Sequence, residues 1–145
     1  MQLNITTDYA IRIIVYLSSK KGIISSKELS IKLKIPQHYI LKITKRLEKS
    51  GIINIYVGKN GGFSMVKKSN EISLADIIKI MEGTTKINRC LEEDKYCSCC
   101  ASDYCEVRNF YCILQKEVEE KLFSMTIERL LSDLITKNKE EKEEV

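Results

Sequence analysis

Three observations predict a mainly α fold with one small β-hairpin. Apolar residues recur at helical spacing through most of the first 81 positions. One short stretch within them switches to period-two alternation around a glycine-rich turn. A longer apolar stripe, at steps of three and four, then fills the C-terminal half.

Taken in order, "TTDYAIRIIVYLSSKKG" places apolar residues at 9, 10, 13, 14 and 17, one face of a first helix ending near Gly22. In "SSKELSIKLKI", Ser25 or Ser26 is an N-cap, Glu28 has capping-box spacing from Ser25, and Leu29 and Leu33 lie four apart. "PQHYILKITKRLEKSG" puts Pro36 at the first turn and stops at Gly51. Its inner face is Ile40, Ile43 and Leu47; its outer face is Gln37, His38, Lys42, Lys45, Arg46 and Lys49. "INIYV", "GKNGG" and "FSMVKK" then read as strand, turn and strand, with glycines 58, 61 and 62 permitting positive φ at the tip. Helix, helix, basic helix and hairpin is the order of a winged helix-turn-helix, whose second paired helix enters the major groove.

"SLADIIKIMEG" offers Ser73 as N-cap, Asp76 three residues on, and Leu74, Ile77, Ile78 and Met81 on one face. Val107, Tyr111, Leu114, Val118, Leu122 and Met125 form a coiled-coil-like seam on a long helix. One helix cannot bury such a seam alone, so pairing with a second subunit is expected. Thr126 can cap a last segment bearing Ile127, Leu130, Leu131 and Leu134, expected to lie across that subunit. The fold class is thus a winged helix-turn-helix domain plus a long C-terminal dimerisation helix, closed by a terminal helix.

Charge divides along the same line. Residues 1–70 hold 13 Lys+Arg against Asp8, Glu28 and Glu48, whereas residues 71–145 hold 11 against 17 acidic residues. A basic half suits a polyanion such as double-stranded DNA. Lys42, Lys45 and Lys59 can neutralise phosphates, with Ser26, Arg46 and Asn60 beside them. Gln37, His38 and Tyr39 stand where side chains reach base edges. The run "AIRIIVYL" is too short to cross a bilayer and carries Arg12, so a cytoplasmic protein without membrane contact is expected. With one histidine and no nucleophile-plus-base constellation, an enzyme is not expected.

Five of the six cysteines lie in "CLEEDKYCSCCASDYC", and Cys112 follows. A reducing compartment disfavours persistent disulfides. Cys97 and Cys100 have zinc-knuckle spacing, which Cys90 and Cys105 would complete, although no second close pair exists. Cys112, two turns beyond Cys105, reads as a packed thiol.

The chain resembles the Rrf-family winged-helix iron–sulfur transcription regulators of the IscR and NsrR type. "TDYAIR", "YILKITKRLEKSGII", "GKNGGFSMV", "ISLADIIKIMEG", "CEVRNFY" and "SMTIERLL" carry the likeness over nearly the whole length. The resemblance implies a homodimeric regulator, a repressor, on a palindromic operator. It divides the chain into a DNA-binding domain over 1–83, a cluster-binding loop over 84–105, dimerisation and terminal helices over 106–136, and a disordered charged tail over 137–145. It also implies three cysteine ligands to an iron–sulfur cluster, commonly separated by five residues. Cys99 and Cys105 match that interval, whereas eight residues separate Cys90 from Cys99. The ligands implied are therefore Cys90, Cys99 and Cys105, with Cys97 and Cys100 as alternates. The histidine that IscR-like members place three residues after the third cysteine is here Arg108. Asp8 matches the aspartate that NsrR-like members contribute from the other subunit, which favours a four-iron, four-sulfur cluster over a two-iron, two-sulfur one. Zinc remains the alternative cofactor.

Overall fold

The computed structural model describes residues 2–99 and 103–133; Cys100, Leu134 and the charged tail over 137–145 lie outside the described residues. Helix α1, Ile5–Ser18, is capped by the Asn4 side chain and turns Ala10, Ile13, Ile14 and Leu17 inward. Helix α2, Ser26–Leu33, is capped by Ser25, whose hydroxyl accepts from the Glu28 N–H at 3.1 Å. The reciprocal half of the expected capping box is absent. Glu28 instead accepts from the Tyr16 hydroxyl at 2.7 Å, tying α2 to α1.

The chain reverses through Lys34, in the left-handed region at φ 54, and buries Ile35. Helix α3 spans Gln37–Lys49, and Pro36 is its N-cap, one place earlier than the sequence suggests. A proline has no N–H to leave unpaired there. Ile40, Ile43, Thr44 and Leu47 face the core.

Strands β1, Ile53–Tyr56, and β2, Gly62–Met65, pair antiparallel with Ile53 opposite Met65 and Tyr56 opposite Gly62. Phe63 exchanges backbone bonds of 2.9 and 2.8 Å with Ile24, fixing β2 beside the segment that leads into α2. The tip glycines serve two purposes rather than one. Gly58 takes φ 115, but Gly61 is demanded by space: a Cβ there would stand 2.2 Å from the Tyr56 carbonyl oxygen.

Helix α4, Leu74–Glu82, has the full reciprocal capping box of Ser73 and Asp76 and ends at left-handed Gly83. Its buried face is Ala75, Ile77, Ile78 and Met81. At its far end the Glu82 carboxylate accepts from the Asn4 N–H at 2.9 Å and from the Thr7 hydroxyl, latching α4 to the start of α1. The core thus runs between α1, α3, α4 and the hairpin.

Helix α5, Glu106–Ser124, follows the cysteine loop, and residues 127–133 form a sixth helical segment, α6. The packing of this half bears on two expectations. Tyr111, Leu114, Val118, Leu122 and Met125, read as a subunit seam, are half-buried within this chain, where α5 packs on α4. Val107, read as part of the same seam, is exposed, as are Phe110, Ile113 and Phe123. The stripe is broader than one seam, so one side folds inward and the other is left outside.

The segment after α5 also turns inward. Ile127 is fully buried in the core, and Leu130 and Leu131 pack against it. The reason is a backbone bridge: Leu74 N–H donates to the Met125 carbonyl at 2.9 Å, and Ile127 N–H to that of Ile72 at 3.0 Å. Thr126 does cap α6, accepting from the Arg129 N–H at 3.3 Å. No described helix is long and apolar enough to cross a membrane.

Candidate functional site

At about 100° per residue, the face of α3 opposite its buried side presents His38, Lys42, Lys45 and Lys49, all exposed. Gln37 is held at the rim, its Nε2 donating to the Ser26 hydroxyl at 3.0 Å. That bond joins the first residues of α2 and α3 and leaves the Gln37 amide oxygen available. The His38 ring lies 4.3 Å from that of Tyr39, which meets Tyr9 of α1 edge-on at 5.5 Å. Tyr39 is thus a half-buried support for His38, packed against α1 rather than wholly presented to a ligand. Arg46 is turned aside: its guanidinium donates to the Ile80 carbonyl at 2.9 Å. Lys59 and Asn60 are exposed at the hairpin tip.

The second constellation lies where the loop over 84–105 returns to α5. Cys90, Cys97 and Cys105 line one pocket of about 300 Å³ with Arg89, Tyr96, Arg108 and Tyr111. Cys105 is the N-cap of α5, its sulfur accepting from the Arg108 N–H at 3.4 Å. The Arg108 side chain reaches back, Nε donating to the Cys90 carbonyl at 3.1 Å. Two walls of the pocket are thereby fixed to each other. Cys99 is exposed, 3.9 Å from the Ser98 hydroxyl, and does not line the pocket. Cys112 is exposed too, not the packed thiol expected from its spacing.

Between Cys90 and Cys97 the chain doubles back. Arg89 pairs with Asp94 through both terminal guanidinium nitrogens and lies 5.6 Å from the Tyr96 ring centroid. The Arg89 hydrogen bond holds the Asp94 carboxyl below its usual range. Lys95, at φ 46, makes the reversal.

A polar staple that sequence reasoning missed fastens the start of this loop. Gln115, the buried polar residue of α5, accepts from the Ile87 N–H at 2.8 Å and donates to the Thr85 carbonyl at 3.0 Å. Beside it, Glu119 accepts from the Thr85 hydroxyl at 2.7 Å and from Lys86 at 3.1 Å. The Thr85 hydrogen bond, followed by that of Lys86, depresses the Glu119 pKa. A glutamine set between Leu114 and Lys116 carries no signal of this role in spacing alone. Gln115→Ala is expected to destabilise the fold by about 1–3 kcal/mol for each backbone group left unpaired, measured by urea unfolding.

Asp8 is on α1, half-exposed and paired with Arg12 at 2.7 Å, away from the cysteine pocket of its own chain. Among the described residues, no three His, Cys, Asp or Glu side chains converge closely enough to hold a single metal ion. A polynuclear cluster carries several irons and accepts thiolates standing further apart, and the soft donors present suit it.

A winged helix-turn-helix with a basic recognition face, joined to a long helix through a cysteine-lined pocket, defines a winged-helix regulator. Residues 3–133 match the Rrf2 family, described as "Iron-dependent Transcriptional regulator", and the chain belongs to that family. Its members are DNA-binding transcription regulators. Among curated proteins, it is 30% identical over 96 residues to the HTH-type transcriptional regulator NsrR of Shouchella clausii, covering 65% of this chain and 64% of that one. The matched stretch therefore spans somewhat less than two thirds of that relative. Among solved structures, CymR of B. subtilis, the global cysteine regulator, superposes with a TM-score of 0.74 at 23% identity, covering 91% of this chain and 97% of the other. IscR of T. potens gives 0.72 at 20% identity, covering 92% and 88%. These likenesses establish the fold.

Proposed function

We propose that the protein is a cytoplasmic, homodimeric repressor that binds a palindromic operator and senses iron–sulfur status, redox state or nitric oxide through an iron–sulfur cluster in the cysteine loop. The observation that carries this reading is the pocket itself: three cysteines line one cavity at the junction of loop and long helix. The similarity to NsrR supports it. When bound, such a cluster supplies iron that reacts with oxidants or small gases.

The chain's own residues supply the response. Cys105 caps α5, and Gln115 fastens the other end of the loop to the same helix, so the state of the loop thiolates is felt along α5. Asp8 of the partner subunit is proposed as the further ligand, joining the loop to the opposite DNA-binding domain. With that tie made or released, the spacing of the two recognition helices changes, and half-site spacing is a geometric requirement.

DNA recognition falls to the open face of α3 and the hairpin tip. Lys42, Lys45 and Lys59 meet phosphates; Ser26, Gln37, His38 and Asn60 lie at base edges or the backbone; Tyr39 and Arg46 hold α3 in place. Lys42→Ala and Lys59→Ala should each weaken binding across all sequences and reduce the salt slope by about one unit. Unchanged operator affinity in both would move the interface off this face. Visible absorption and metal analysis of anaerobically purified protein test the cofactor: a colourless protein with stoichiometric zinc would replace the cluster reading by a structural zinc site.

A further inference from the structure

We propose that Cys97, not Cys99, is the middle thiolate of the cysteine site, between Cys90 and Cys105. This rests on the cluster reading above and names its ligands. Spacing alone favours Cys99, because five residues separate it from Cys105. The path of the chain favours Cys97. Lys95 turns the loop at positive φ, its N–H donating to the Glu92 carbonyl at 3.0 Å, and the Tyr96 N–H donates to Asp94 at 3.4 Å. Arg89 closes the turn on Asp94 and lies against Tyr96. The residues that lengthen the first interval are thus consumed in a self-contained reversal, which delivers Cys97 to the pocket wall that Cys90 shares.

The opposite wall is set independently, by the Cys105 cap and the bond from Arg108 to the Cys90 carbonyl. Tyr96 and Tyr111 stand beside the three thiols and cover part of the cavity with ring surface. Cys99, two residues past Cys97, is already exposed. Soft, anionic sulfur donors on facing walls are what an iron–sulfide core requires, and a loop whose reversal is already formed need lose little chain freedom to supply them.

The test reconstitutes wild-type, Cys97→Ser and Cys99→Ser proteins anaerobically with ferrous iron and sulfide, then reads visible absorption and bound iron and sulfide. Cys99→Ser is expected to load like wild type, and Cys97→Ser to lose the absorption and the bound iron. Loss in Cys99→Ser with retention in Cys97→Ser overturns the assignment while leaving the cluster intact as a reading. A wild-type protein that takes up no iron and sulfide sinks the cluster reading, and the assignment with it. A second measurement avoids any folding defect in the variants: iodoacetamide labelling of the wild type, read by mass spectrometry. Cluster loading should protect Cys97 and leave Cys99 as reactive as in the unloaded protein; the reverse pattern would reject the proposal.

Discussion

Cys105→Ser is expected to abolish cluster loading and to fix operator affinity at the value of the unloaded protein. Serine is a good N-cap, so the variant keeps a hydroxyl to accept from the Arg108 N–H while removing the soft donor. Loss of the cap and loss of the ligand are therefore separated. In the wild type, loaded and unloaded forms should differ in operator affinity by about 5–150-fold, the range of ordinary allosteric couplings. By linkage, the form that binds DNA better must itself be stabilised by DNA. Titrating one operator against wild type and Cys105→Ser, each with and without iron and sulfide, at a single fixed salt concentration checks this. Equal wild-type affinities with and without iron and sulfide would make the cysteines structural and remove the sensing reading.

Phe110→Lys or Ile113→Glu is expected to convert a dimer to monomers and to collapse operator binding. Both side chains are largely exposed in the single chain, at 60% and 62%, and neither belongs to its core. A charge placed on a face that a second copy covers is stripped of water without a counter-ion, which costs several kcal/mol. The monomer should still unfold cooperatively, because the packing of α5 on α4 is untouched. Sedimentation equilibrium reads the first effect and thermal unfolding the second. Variants that stay dimeric at wild-type affinity would place the interface elsewhere.

Helices α1 to α4 and the hairpin are legible in the sequence because each is set by local rules. Ser25 and Ser73 cap the helices they precede, Pro36 starts α3, and apolar periods identify buried faces that the structure keeps. What was not legible depends on contacts between distant residues. The bridge from Ile72 and Leu74 to Met125 and Ile127 is made by backbone atoms, so no side-chain pattern announces it. The broad stripe on α5 tells that apolar surface must be covered but not which part covers itself. Gln115 and Arg108 matter for the backbone atoms they reach, which their positions in a helix do not reveal. Likewise, counting residues between cysteines measures length along the chain and misses the reversal at Lys95.

The bridge at Met125 gives α5 the mechanics of a lever. Its 19 residues make a rod about 28 Å long, pinned at one end by the exchange of backbone bonds with the start of α4. The cysteine pocket sits at the other end, far from this fulcrum. A sideways push of an ångström at the pocket therefore needs only a slight tilt of the rod, and the torque falls on the strand-like joint at residues 72–74 and 125–127. That joint leads directly into α4, whose last residue, Glu82, grips the first turn of α1. The rod thus reaches the helix that carries Asp8 through a rigid train of short polar contacts, with the hydrophobic core as its bearing.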